Sequence, residues 1–217
     1  MSISLRRTQT LAEEIANSIT HGVGTVLSLV GLMTMVIYAS EMGDAYRIVG
    51  ATVFGLTMVL LYLASTLYHS FQGPSIKPWL RKIDHSAIYL LIAGTYSPFT
   101  LVSLPGAWGW TLFGIVWGLA LFGVTFKLLY IHKFEFVSVL VYVGMGWLGA
   151  IAFKPTLAAL SVHGMAWLAA GGLCYTVGVL FYAWRKLPFH HAIWHLFVMG
   201  GTFCHFYAVQ FYVLPVA

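Results

Sequence analysis

Apolar residues run along this chain in long blocks, and the charges stand between the blocks rather than within them. No Asp, Glu, Lys or Arg occurs between Arg47 and Lys77, and the 42 residues between Asp84 and Lys127 are also uncharged. A helix crosses the hydrocarbon core with roughly 20 mainly apolar residues, so the second block is too long for one crossing. It divides at Leu104-Pro105-Gly106, where proline and glycine together punctuate the chain. The pattern predicts seven spans, at Ile19–Ser40, Ile48–Ser70, Ala87–Leu104, Trp108–Phe126, Phe136–Phe153, His163–Trp184 and His190–Val213. The fold class is therefore all-α, a seven-helix transmembrane bundle over residues 19–217.

Composition supports that class and removes others. Of the 217 residues 60% are hydrophobic and 8% charged, about a third of the ~25% usual in soluble domains. Seventeen charges cannot cover a soluble surface of this size. The net charge of +5 invites comparison with nucleic-acid binders. Those proteins cluster and solvate their basic residues, which this chain does not. Sorted by connecting segment, nine of the eleven basic residues fall on one side: Arg6, Arg7, Lys77, Arg81, Lys82, Lys127, Lys133, Arg185 and Lys186. Arg47 and Lys154 fall on the other. The bias places the N-terminus in the cytoplasm and, with seven spans, the C-terminus outside.

Residues 1–18 do not read as a secretory signal, because Glu13 and Glu14 occupy the place of an apolar core. Leu11, Ile15, Ser18 and Ile19 recur at three- to four-residue spacing, which predicts a short amphipathic helix on the cytoplasmic face. Cys174 and Cys204 both fall inside spans and imply no disulfide framework. No internal repeat or second domain is evident.

Ionisable groups inside a membrane are expensive and ask for a partner or a purpose. By the predicted topology, His69 ends span two on the cytoplasmic side, Asp84 precedes span three there, and His191 and His195 open span seven there. His191 and His195 are four apart and stack on one helix face, about 6 Å along the axis. Such a pair grips one metal ion, with nitrogens at roughly 2.0–2.1 Å. Adding His69 gives three nitrogen ligands with a fourth position open, as in catalytic zinc sites. Asp84, the carboxylate expected within reach, serves as general base or orients a histidine. Ser65, four residues before His69, can hydrogen-bond the same water or Asp84.

Taken singly, each feature has a plainer reading. Histidines hydrogen-bond across membrane helices, serine satisfies itself on its own backbone, and Asp84 can cap a helix or pair with Arg81 or Lys82. Convergence at one depth sets the group apart. His85, at the loop edge, ranks below His69 as a ligand. His21 is a candidate outer partner or a packing residue. His205 lies about 15 Å beyond His195, so one ion cannot bind both. His190 should point away from His191, and His132 and His163 read as interfacial. Imidazole ligands suit zinc, copper, iron and nickel alike.

Four ordered motifs carry a resemblance. Glu13-Glu14-Ile15-Ala16-Asn17-Ser18-Ile19-Thr20-His21-Gly22 resembles the opening signature of the bacterial hemolysin III family. Ser65-x3-His69, Asp84-His85-Ser86-Ala87-Ile88-Tyr89 and His191-x3-His195 resemble its three remaining motifs. The family sits with the progestin and adipoQ receptors and is distantly similar to the alkaline ceramidases. The resemblance spans nearly the whole chain. It implies zinc held by His69, His191 and His195, with Asp84 and Ser65 beside it. It also implies a role in membrane lipid homeostasis at the bacterial inner (plasma) membrane.

The expected function is a zinc-dependent intramembrane hydrolase of a lipid amide or ester. Its partner is a membrane lipid or fatty-acyl substrate, with no nucleic acid. A non-catalytic sensor with a structural zinc and a haemolytic pore are the alternatives; against a pore, no stripe of charge lines any span.

Overall fold

The structure, a computed structural model, describes residues 9–104, 106–130 and 134–215. Arg6, Arg7, Pro105, His132 and Lys133 lie outside the described residues. Among the described residues every regular element is helical: α1 (Leu11–Met42), α2 (Ala45–Ser70), α3 (Lys77–Pro98), α4 (Ala107–Tyr130), α5 (Glu135–Trp147), α6 (Phe153–Ala183) and α7 (His190–Ala208). Wide π turns extend α3 through Phe99–Ser103 and α7 through Val209–Val213, and a 3-10 turn, Leu148–Ala152, joins α5 to α6. Six stretches among the described residues are long and apolar enough to cross a membrane, one of them the 48-residue run Phe136–Ala183. Large side chains such as Phe122 and Phe136 are more than half exposed on the outer surface, which suits contact with lipid rather than water. The chain is an integral membrane bundle of helices.

The helix ends follow from local chemistry. Thr10 and Glu13 form a reciprocal capping box at the start of α1, and Gly43 closes it in the left-handed conformation at φ 69°. Asp44 accepts from the Tyr46 N–H and so caps α2. Pro78 stands in the first turn of α3, where its missing N–H costs nothing.

Three expectations change. Residues 11–18, expected as a separate surface helix, are the first turns of α1. Their apolar stripe, Leu11, Ile15 and Ile19, faces outward, while Glu13, Asn17 and His21 are buried. A helix inside a bilayer turns its polar face inward, the reverse of the soluble rule that makes such a stripe read as a surface helix. The third helix begins at Lys77 rather than Ala87, so Asp84 and His85 stand within helical turns and not at a loop edge. The long uncharged block does divide near Leu104, with Gly106 at φ 75°. The boundary expected near Phe153 is instead spread over the Leu148–Ala152 turn and a break at Ser161 (φ 63°, ψ 168°). The Ser161 hydroxyl accepts from the Gly164 N–H at 3.5 Å, so it caps the helix that follows.

Helices α1, α2, α3 and α7 pack around the main core of Phe54, Met58, Leu61, Tyr62 and Val198, while α5 is loosely attached. Close approach rests on small residues, since helices in lipid gain more from packing than from burial. A Cβ on Gly94 would lie 2.0 Å from Thr57 Oγ1, whereas one on Gly118 meets nothing within 4 Å. Gly94→Ala is expected to destabilise the bundle by about 1–3 kcal/mol through overpacking. Gly118→Ala should be neutral or stabilising by up to about 1 kcal/mol. Thermal unfolding in detergent separates the two.

Candidate metal centre

Three imidazoles meet where α2 ends and α7 begins. Their ligand nitrogens, on His69, His191 and His195, all lie within 4.8 Å of one another. Two nitrogens at ~2.1 Å from a common ion are at most about 4.2 Å apart, so small side-chain shifts bring the three onto one ion. His191 and His195 present one face of α7, with ring centroids 4.6 Å apart. The His69 ring stands 5.1 Å and 5.2 Å from them.

The outer nitrogens are already committed. His69 Nδ1 lies 2.6 Å from Glu14 Oε2, so it carries the proton and donates to the carboxylate. His195 Nδ1 lies 3.3 Å from the Asn17 carbonyl oxygen and 3.1 Å from Thr20 Oγ1. The Thr20 hydroxyl has carbonyl acceptors on Ala16 and Asn17, which leaves its oxygen free to accept from the ring. Each of these two rings therefore turns the lone pair of Nε2 inward. His69 Nε2 is buried and has no hydrogen-bond partner among the described residues. A buried acceptor without a donor is costly, and the neutral imidazoles around it suit a metal ion better than a proton.

Asp84 and Ser65 are placed beside this group but not within it. Both are buried, the Ser65 hydroxyl bonds the Asp84 carboxylate, and Asp84 lies outside the set of three ligands. They share with His191 and His195 the wall of a cavity of about 140 Å³. Its remaining wall is largely apolar, from Leu61, Ile88, Leu91, Val179 and Val198. His85 lines the same cavity. His21 stacks on His195 at 3.5 Å, with planes 10° apart, and both its nitrogens are buried without a partner among the described residues. The fold thus brings His69, His191, His195, Asp84 and Ser65 to one end of the bundle.

Asp84 is not the only carboxylate in reach, and here the sequence reading is corrected. Glu14 Oε2 holds His69, and Glu14 Oε1 accepts from Lys77 Nζ at 2.6 Å. Glu13 Oε1 accepts from the Phe189 N–H at 3.0 Å, which ties the start of α7 to α1. Both glutamates sit in the first turn of α1, where a reading of that segment as a surface helix leaves them in water. The signal was available in the spacing of Glu13, Asn17, His21, Gly24 and Ser28, a polar and small stripe along an apolar helix.

Comparison with known proteins agrees with this arrangement. The profile of the Haemolysin-III related family matches residues 9–206. The chain is 52% identical to Hemolysin-3 of Bacillus cereus over 212 residues, covering 98% of this chain and 97% of that protein. It is 52% identical to the Hemolysin-3 homolog of Bacillus subtilis (strain 168), covering 95% and 97%. The human Monocyte to macrophage differentiation factor is 30% identical, with 94% of this chain and 86% of that protein covered. No solved structure matches the chain.

Removing the Glu14 carboxylate strands both His69 Nδ1 and Lys77 Nζ. Glu14→Ala is expected to destabilise the protein by about 2–3 kcal/mol, the range for losing partners of charged hydrogen bonds. Glu41→Ala, at the exposed opposite end of α1, should leave the melting temperature unchanged.

Proposed function

The chain belongs to the Haemolysin-III related family, within the progestin and adipoQ receptor superfamily, and from that premise we propose that it is a zinc-dependent intramembrane hydrolase of a lipid amide or ester. One observation carries the reading: three imidazoles converge, the outer nitrogens of two are held by Glu14 and by the Asn17 carbonyl, and they open onto a mainly apolar cavity that also holds Asp84 and Ser65. His69, His191 and His195 hold the ion. When bound, zinc supplies Lewis acidity toward a substrate carbonyl and makes a nearby water a stronger acid.

The protein's own groups do the rest. Ser65 donates to one oxygen of Asp84 and fixes the carboxylate at the cavity wall. The other Asp84 oxygen takes the proton from the attacking water as its oxygen adds to the carbonyl carbon. As the carbonyl–nitrogen or carbonyl–oxygen bond breaks, Asp84 passes that proton to the leaving amine or alcohol. The apolar wall accepts an acyl chain and keeps bulk water away. A purely structural zinc has no use for a hydrogen-bonded carboxylate placed outside the ligand set on a lipid-sized cavity, which favours catalysis over a sensor staple.

The same reading sets the topology. The run Phe136–Ala183 would measure about 72 Å as one straight helix, more than twice the ~30 Å hydrocarbon core. Its interruptions at Leu148–Ala152 and Ser161 support two crossings there and seven in all. Lys77, Arg81, Lys82, Arg185 and Lys186 lie at the histidine end, which supports a cytoplasmic metal centre and N-terminus. The membrane is the bacterial inner membrane and the role is lipid homeostasis.

His191→Ala is expected to lose both zinc and lipid hydrolysis. Asp84→Asn should retain zinc and lose about 10²–10⁴-fold in turnover. Full activity in Asp84→Asn, with zinc measured on the same sample, rules out this mechanism. Glu14→Gln should keep the fold and lower zinc affinity about 10–100-fold in a chelator competition, the usual loss for an orienting partner.

A further inference from the structure

The cavity that opens at the histidine cluster has a second polar feature at its inner end. His205, ten residues beyond His195 on α7, lines the same cavity and is buried. The helical rise puts it about 15 Å further along the helix axis. Its Nε2 lies 3.1 Å from the Leu168 carbonyl oxygen. A carbonyl only accepts, so Nε2 carries the proton and Nδ1 is left as a bare acceptor. Nδ1 is buried and has no partner among the described residues. The nearby hydroxyls are committed: Thr202 bonds Tyr62 and Tyr175, and Thr176 accepts from Trp147 and donates to the Gly172 carbonyl.

The position of the ring is built into the helix crossing. A Cβ on Gly171 would lie 2.3 Å from His205 Cδ2, so glycine at that point of α6 makes the room that the imidazole occupies. Between His205 and the cluster the wall is mainly apolar, from Leu61, Leu91, Val179 and Val198. The cavity thus offers a polar end, an apolar stretch and then one acceptor in need of a donor.

We propose that this inner end recognises a hydroxyl group on the ligand's acyl chain, so that the lipid class admitted is a mid-chain hydroxylated one, held between the histidine cluster and His205. The hydroxyl donates to His205 Nδ1. The proposal takes from the preceding reading only that the cavity receives an acyl chain. It does not depend on turnover.

Equilibrium binding of stearate and of hydroxystearate isomers tests it, by displacement of a fluorescent fatty acid from the purified protein in detergent. A mid-chain isomer should bind wild type about tenfold more tightly than stearate, the worth of one neutral hydrogen bond at its upper range. Isomers hydroxylated next to the carboxylate should show no gain. His205→Phe should abolish the preference and leave stearate affinity unchanged. If that variant fails to fold, the positional series on wild type decides alone. Equal binding of stearate and all isomers, a preference that survives in His205→Phe, or no fatty-acid binding at all overturns the proposal. His191→Ala keeps the preference if hydroxyl recognition stands while the hydrolase reading fails. Loss of preference with hydrolysis intact marks the opposite outcome.

Discussion

Everything at the histidine end depends on two adjacent carboxylates that have little water to turn to. In a bilayer a buried polar group is satisfied by protein or remains a cost of several kcal/mol. Glu13 and Glu14 meet that demand by reaching away from their own helix. Glu13 takes the backbone N–H of Phe189 at the start of α7, and Glu14 takes His69 of α2 and Lys77 of α3. One turn of α1 thereby fixes the ends of three other helices. The register of α7 decides where His191 and His195 point, and the end of α2 decides where His69 stands. The convergence of the three imidazoles is a consequence of pairing those carboxylates.

The close packing of helices serves the same arrangement from the other side. Tyr62, whose hydroxyl donates to Thr202 Oγ1 across to α7, fits against Gly24 of α1 and presents its ring edge to His21. His21 in turn stacks on His195. The polar groups of α1, α2 and α7 are thus held by ring packing as well as by hydrogen bonds, and a shift of one helix disturbs all of them. The loosely attached α5, by contrast, forms part of the cavity wall through Tyr142 and Val143.

Much of this was legible in the sequence, because charge in a membrane protein is rare enough to be read one residue at a time. The placement of His69, Asp84, His191 and His195 at one end followed from their positions relative to uncharged blocks. The role of Glu14 did not, because a pair of glutamates near an N-terminus looks solvated until α1 is seen to begin at Leu11 with its polar side inward. The start of α3 was missed for a related reason: Arg81 and Lys82 break the apolar pattern but not the helix, since long basic side chains extend toward the membrane surface. The break at Ser161 lacks glycine and proline, yet a serine three residues before Gly164 is an ordinary helix cap once the chain is known to turn there. The unpaired nitrogen of His205 was beyond reach, because it depends on which carbonyl of α6 faces the ring.

Ser161 also bears on how the protein is made. On the seven-span reading, the ribosome delivers 48 consecutive membrane-compatible residues with no hydrophilic loop between the two crossings. A translocation channel that sorts segments one at a time has no polar stretch at which to release the first before the second arrives. The two crossings then enter together as a hairpin, with Lys154 the one full charge carried across. A single serine cap within an apolar run therefore sets the order of assembly: this hairpin is inserted as a unit before α7 arrives to bring its histidines to the site.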